Sequence, residues 1–241
     1  MADAVAAAQE ELRRSAQRRA RRLRLCGTGR VMNDVTLDAP DTLRAYQARL
    51  GMWVFLATEL MFFGPVFLGY AVGRLHMPQA FASAARHTDV LLGTLNTVVL
   101  LSSSAAIALA TECQRSGAGR LARRLLWVTA ALGAAFLLIK GYEYGKDVHE
   151  GLWPDASFHP ADMPDADGGR LFFFLYFFAT GLHAIHLAIG ICLVLLVARQ
   201  ASSMAAVPVM RRLETVALYW HFVDVVWVFL FPILYLAGRA S

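Results

Sequence analysis

Five apolar stretches, at about residues 50–72, 88–110, 122–142, 170–198 and 213–237, constrain this chain more than anything else in it. Each approaches or exceeds the roughly 20 residues that a helix needs to cross the hydrocarbon core of a bilayer. No water is available at that depth, so backbone amides and carbonyls must be satisfied within the segment, which selects helices. The composition agrees: at 57% hydrophobic and 17% charged residues, the chain is more apolar and less charged than a soluble domain. The predicted fold is all-α, a polytopic membrane helical bundle with five transmembrane helices over residues 50–241, preceded by a basic arm over residues 1–49.

The basic residues set the expected topology. Of the 23 Lys and Arg, 17 lie in the arm, near 111–124 and near 199–212, and six lie on the opposite side of the predicted helices. The positive-inside rule then places the N-terminus in the cytoplasm and the C-terminus outside. The formal charge of +5 is therefore a topology signal and does not indicate a nucleic-acid partner. No apolar run of signal-peptide type follows the arm, and Glu10 and Glu11 argue against a transit peptide. The arm reads as a cytoplasmic segment in contact with anionic lipid. Cys26, Cys113 and Cys192 lack metal-ligand spacing and read as free thiols.

The longest outer connection, at about 143–169, is interrupted by Gly-Leu-Trp-Pro at 151–154 and by Pro160, Pro164, Gly168 and Gly169. Its acids, from Glu143 and Asp147 to Asp165 and Asp167, read as a solvated face. Lys140 and Glu143, three apart at the outer end of the third helix, are expected to form a surface pair, with Tyr142 and Tyr144 as interfacial anchors. No internal repeat of transporter type is present.

Inside the apolar stretches stand a few ionisable residues, which at membrane depth must face protein and find partners. Counted at about 1.5 Å per residue from the cytoplasmic helix ends, Glu59 and His221 lie about 14 Å deep, and His186 and Asp224 about 18 Å. They form one predicted polar layer, with His183 a turn further out and Glu214 near the cytoplasmic mouth of the last helix. His183 and His186 share a helix face, as do His221 and Asp224. Glu59 is either a proton or ligand site or a hydrogen-bonded core acid. For the histidines, metal or haem ligation competes with simple interhelical hydrogen bonding. Two stacked haems would need paired histidines several turns apart on two helices, and the spacing here does not provide them. No copper motif or dinucleotide fingerprint occurs, so no metal or other redox centre is expected in this chain. Gly133, Gly181, Gly190, Ser102 to Ser104, Asn96 and Thr97 read as helix-packing residues.

Several stretches carry a resemblance. Trp53-Val-Phe-Leu-Ala-Thr-Glu59 with Met61-Phe-Phe63, Leu92-Gly-Thr-Leu-Asn-Thr-Val98, Gly141-Tyr-Glu-Tyr144, Thr180-Gly-Leu-His-Ala-Ile-His186 and Tyr219-Trp-His-Phe-Val-Asp-Val-Val-Trp227 occur in order across residues 50–237. Together they resemble subunit III of the haem–copper terminal oxidases, the cytochrome c oxidase family. The resemblance implies a cofactor-free accessory subunit in aerobic respiration, packed against a catalytic subunit I that holds the haem and copper. It implies bound phospholipid, a proton-related role for Glu59, and lipid or inter-subunit contacts at His186 and Glu214. It also implies an integral protein of the bacterial inner membrane. The mitochondrial form has seven helices; this chain has five and a basic arm instead. A quinol oxidase or nitric oxide reductase partner is the nearest alternative, and a small proton-coupled transporter using Glu59, His186, His221 and Asp224 is a more distant one.

Overall fold

The computed structural model describes residues 50–154, 165–200, 206–236 and 238–239. The basic arm, Cys26 and the middle of the 143–169 connection lie outside the described residues. The chain divides into two units, Met1–Gly51 and Met52–Ser241, and the packed helices make up the second. The described residues are all-α, and among them five helices are long and apolar enough to cross a membrane. The helices are α1 (Leu50–His76), α2 (Pro78–His87), α3 (Val90–Arg115), α4 (Gly119–His149), α5 (Ala166–Gln200) and α6 (Ala206–Phe231). The last continues as a π-helical turn, Pro232–Leu236.

Local chemistry sets the boundaries. Asp89 caps α3, its carboxylate accepting the N–H groups of Leu91 at 3.1 Å and Leu92 at 3.3 Å. Gly117 (φ 81°) and Gly151 (φ 73°) take the left-handed conformation just past α3 and α4. In both turns an amide reaches back five residues, Ala118 to the Cys113 carbonyl at 2.8 Å and Leu152 to that of Asp147 at 3.0 Å. The fourth helix thus runs to His149, seven residues beyond its expected end, because Gly151 and not Tyr142 supplies the stop. Pro78 starts α2, a ten-residue helix between the first and second predicted spans. Pro232 has no N–H to offer the α-helical ladder, and the chain widens there into the π-turn. The Ile233 carbonyl in this turn accepts the Tyr70 hydroxyl at 2.7 Å.

Helices α3, α4, α5 and α6 pack as neighbours, α3 on α4 and α6, and α5 on α4 and α6. Trp220 fills their centre. A Cβ on Gly133 of α4 would stand 2.8 Å from its ring, so that position needs a bare backbone, and one on Gly190 of α5 would stand a tight 3.2 Å away. The Trp220 indole N–H donates to Ser103 at 3.1 Å, and that of Trp227 to Thr97 at 3.1 Å. Ser102 returns its hydroxyl to its own helix, at the Val98 carbonyl. Asn96 is wholly buried, and its side-chain amide has no hydrogen-bond partner among the described residues. On α1, Phe63 and Tyr70 point inward, Phe63 against His186 and Tyr70 against Phe81 and Phe172.

Candidate functional site

The predicted polar layer divides into separate contacts. Glu59 of α1 meets His186 of α5, with Nε2 2.9 Å from Oε2 and the two side chains 16% and 13% exposed. The approach lacks the alignment of a directional hydrogen bond. His186 Nδ1 lies 2.9 Å from the Leu182 carbonyl, which is only an acceptor, so Nδ1 carries a hydrogen. Nε2 and Oε2 are close enough to share a proton, held on the ring as imidazolium beside carboxylate or on the acid as carboxyl beside neutral imidazole.

His221 of α6 meets Ser104 of α3 at 2.7 Å through Nδ1. Asp224, one turn along, is 4% exposed, with Ser104 as its polar neighbour and no well-formed hydrogen bond to either oxygen. His183 is buried between Phe136 (ring centroids 5.5 Å apart) and Trp227 (5.2 Å), and neither ring nitrogen has a hydrogen-bond partner among the described residues. It does not join His186 in a common site. Glu214 pairs with Arg115 at the end of α3, 3.0 Å away. Among the described residues, no three His, Cys, Asp or Glu side chains converge as a metal ion would require.

One expectation is overturned. Lys140 and Glu143 are not a surface pair: they are 3% and 0% exposed, 3.0 Å apart, and form the centre of the most extensive buried network in the described structure. Lys140 also donates to the hydroxyls of Tyr176, at 2.9 Å, and Tyr235. Tyr176 reaches Glu143 at 2.9 Å and Asp147 at 3.3 Å, and Tyr235 donates to Glu143 at 2.7 Å. Glu143 and Asp147 are therefore not part of a solvated face. Nor is Tyr144 exposed in the way Tyr142 is, since its hydroxyl lies 2.5 Å from that of Thr180. The cause is the extra length of α4, which carries Lys140, Glu143 and Asp147 down one helical face between α5 and the π-turn. Their i, i+3, i+7 spacing was the available signal.

Five apolar helices around buried polar side chains define an integral membrane protein of the helical-bundle class. The sequence matches the family of cytochrome c oxidase subunit III over residues 31–239. It is 31% identical over 195 residues to cytochrome c oxidase subunit 3 of Thermostichus vulcanus, covering 79% of this chain and 87% of that protein. To the Pylaiella littoralis cytochrome c oxidase subunit 3 it is 32% identical over 216 residues, covering 86% and 74%. A probable quinol oxidase subunit 3 of Staphylococcus saprophyticus is 31% identical over 196 residues, covering 79% and 89%. The chain belongs to the cytochrome c oxidase subunit III family, and is thus a subunit of a haem–copper oxidase with partner subunits. Subunits of this family carry no redox centre.

Proposed function

We propose that this chain is the non-catalytic subunit III of a proton-translocating oxidase that takes electrons from cytochrome c, and that it sustains proton uptake by the haem–copper subunit I through Glu59. The observation that carries this is the Glu59–His186 pair. A proton shared by the two groups rests on either partner without placing an uncompensated charge in the membrane. The pair lies where α1 meets α5, and both groups keep some exposure. The N-terminus is cytoplasmic in this reading, so Glu59 stands in the half of the bilayer from which protons are drawn. The chain sits in a bacterial inner membrane and holds phospholipid near His186 and the Arg115–Glu214 pair, where a guanidinium meets the headgroup region.

Glu59→Gln tests the proposal, because it keeps the shape and removes the titration. The complex should assemble, while turnover at high pH, where proton supply limits, should fall several-fold or decay sooner than in wild type. An unchanged pH profile would make Glu59 a structural acid and end the proton role. A quinol-oxidising complex is the second reading, favoured by the quinol oxidase subunits among the relatives. A binuclear copper centre in the copurified partner decides for cytochrome c; its absence decides for quinol.

A further inference from the structure

The buried network on α4 lies at the opposite helix ends from Glu59, and its hydrogens can be assigned one by one. Lys140 Nζ has three acceptors: Glu143 Oε2 and the hydroxyl oxygens of Tyr176 and Tyr235. A neutral amine has only two N–H groups, so three donations make it an ammonium. Both phenol oxygens accept from it; the two hydroxyls also lie 3.3 Å from each other, but each has a shorter contact to Glu143 Oε1, and the phenol hydrogens go to acids. Tyr235 gives its hydrogen to Glu143 Oε1 at 2.7 Å. Glu143, accepting from the ammonium and from at least one phenol, is a carboxylate, and its charge cancels that of Lys140.

Asp147 remains. It is 4% exposed, and its side-chain contact in the network is the Tyr176 hydroxyl at 3.3 Å. The groups facing it are Lys140, Glu143, Tyr144, Lys146 and Glu150 from its own helix, Tyr176 from α5 and Tyr235 from the π-turn. The Lys140 hydrogens are all committed, Lys146 is exposed and bonded to Asp89 at 3.3 Å, and Glu143 and Glu150 repel a second carboxylate. An ionised Asp147 would thus leave a net negative charge in a site only 4% exposed, which is costly unless a proton cancels it.

We infer that Asp147 is a proton-binding site and that the Tyr176 hydroxyl is the switch that reports its occupancy. With the proton bound, the Asp147 carboxyl donates to the Tyr176 oxygen, and the phenol hydrogen goes to Glu143 Oε1, 2.9 Å away. When the proton leaves for the aqueous phase at the C-terminal end of α4, two residues beyond Asp147, the phenol turns its hydrogen to Asp147 Oδ2. Glu143 keeps the Tyr235 and Lys140 hydrogens in both states. One O–H bond of the acid breaks, and one proton passes to water. The Leu152 amide on the Asp147 carbonyl and the π-turn that carries Tyr235 hold the geometry through the change.

The test is pH-difference infrared spectroscopy on the assembled oxidase with wild type, Asp147→Asn, Tyr176→Phe and Glu143→Gln. Wild type should show a carboxylic-acid carbonyl band that vanishes as the pH is raised. The band should be missing from Asp147→Asn and shifted in frequency in Tyr176→Phe, whose hydroxyl partner is gone. A band that survives in Asp147→Asn, or one lost only in Glu143→Gln, overturns the assignment. Should Asp147→Asn fail to assemble, an unshifted band in Tyr176→Phe overturns it instead. The band should persist in Glu59→Gln, so this site and the proton role of Glu59 fail separately.

Discussion

Ser103 and Asp89 show how differently single polar side chains act in this protein. Ser103 accepts the Trp220 indole N–H at the centre of the bundle, where water cannot replace it. Interhelical hydrogen bonds in membranes are nevertheless worth only about 0.6 kcal/mol, up to about 1.7, because separated helices find other partners. Ser103→Ala should therefore cost less than about 2 kcal/mol in denaturant titrations of the purified subunit. Asp89 lies between the membrane segments, in reach of water. Burial pushes its carboxyl up, but the N–H groups of Leu92 and Leu91 and the Lys146 ammonium outweigh that and hold it below the usual carboxylate range. A lowered folded value means that the stabilisation is fully present above the ordinary carboxylate pKa of about 3.9 and is lost as the pH falls below it. Asp89→Ala should remove a cap worth about 1 kcal/mol at neutral pH, and wild type and variant should converge on acidification in the same titrations. The sequence shows Glu59, His186, His221 and Asp224 clearly, since ionisable groups inside apolar runs need partners. It does not show which partners, because that depends on how the helices are rotated against one another. Lys140, Glu143 and Asp147 are easily misread because a charged residue near a helix end looks the same whether it meets water or a neighbouring tyrosine.

At the scale of elements, the room that glycines leave for the Trp220 indole matters more than any one hydrogen bond. Trp220 is seated between Gly133 and Gly190, and the distances left for a Cβ are too short for any other residue without movement of the indole or Ile191. Gly133→Leu should therefore exceed the cost of Ser103→Ala, separating α4 from α6 and lowering recovery of folded subunit; equal costs for the two variants would mean that the bundle yields easily at this point. The five long helices are legible from length alone, because bilayer thickness sets a minimum that few soluble helices reach. Their ends are less legible. The extension of α4 to His149 depends on a left-handed glycine placed past an already adequate span. The ten-residue α2 is too short to span a bilayer and its buried face, Ala80, Phe81, Ala84 and Ala85, is mostly alanine, so it does not announce itself beside the long spans, and the π-turn follows from Pro232 only once Tyr70 is known to donate to the Ile233 carbonyl.

For the whole molecule, the decisive quantity is how unevenly the helices are covered. Half of the most apolar window of α6 is buried within the described structure, but only 6% of that of α1. Trp53, Leu60, Met61 and Leu68 on α1 face outward, so lipid or partner subunits must cover them. The chain should accordingly copurify with a larger haem-containing subunit and have no oxidase activity alone; an active isolated chain would contradict its place as an accessory subunit. Which way the bundle sits in the membrane is a separate matter, on which the proton role of Glu59 depends. Arg115, Arg120, Arg123 and Arg124 are exposed around the turn between α3 and α4, at the same helix ends as the start of α1. The opposite ends carry exposed Arg86, Lys146, Arg170 and Arg239 spread over separate elements and bury Lys140 against Glu143, so the asymmetry rests on the count of bases over the whole sequence. A reporter fused after Ser241 should then work only if it is one that functions outside the cytoplasm. Cytoplasmic activity at that position would invert the bundle. Glu59 would move to the outer half of the bilayer, away from the side of proton uptake, and Asp147 would face the cytoplasm in its place.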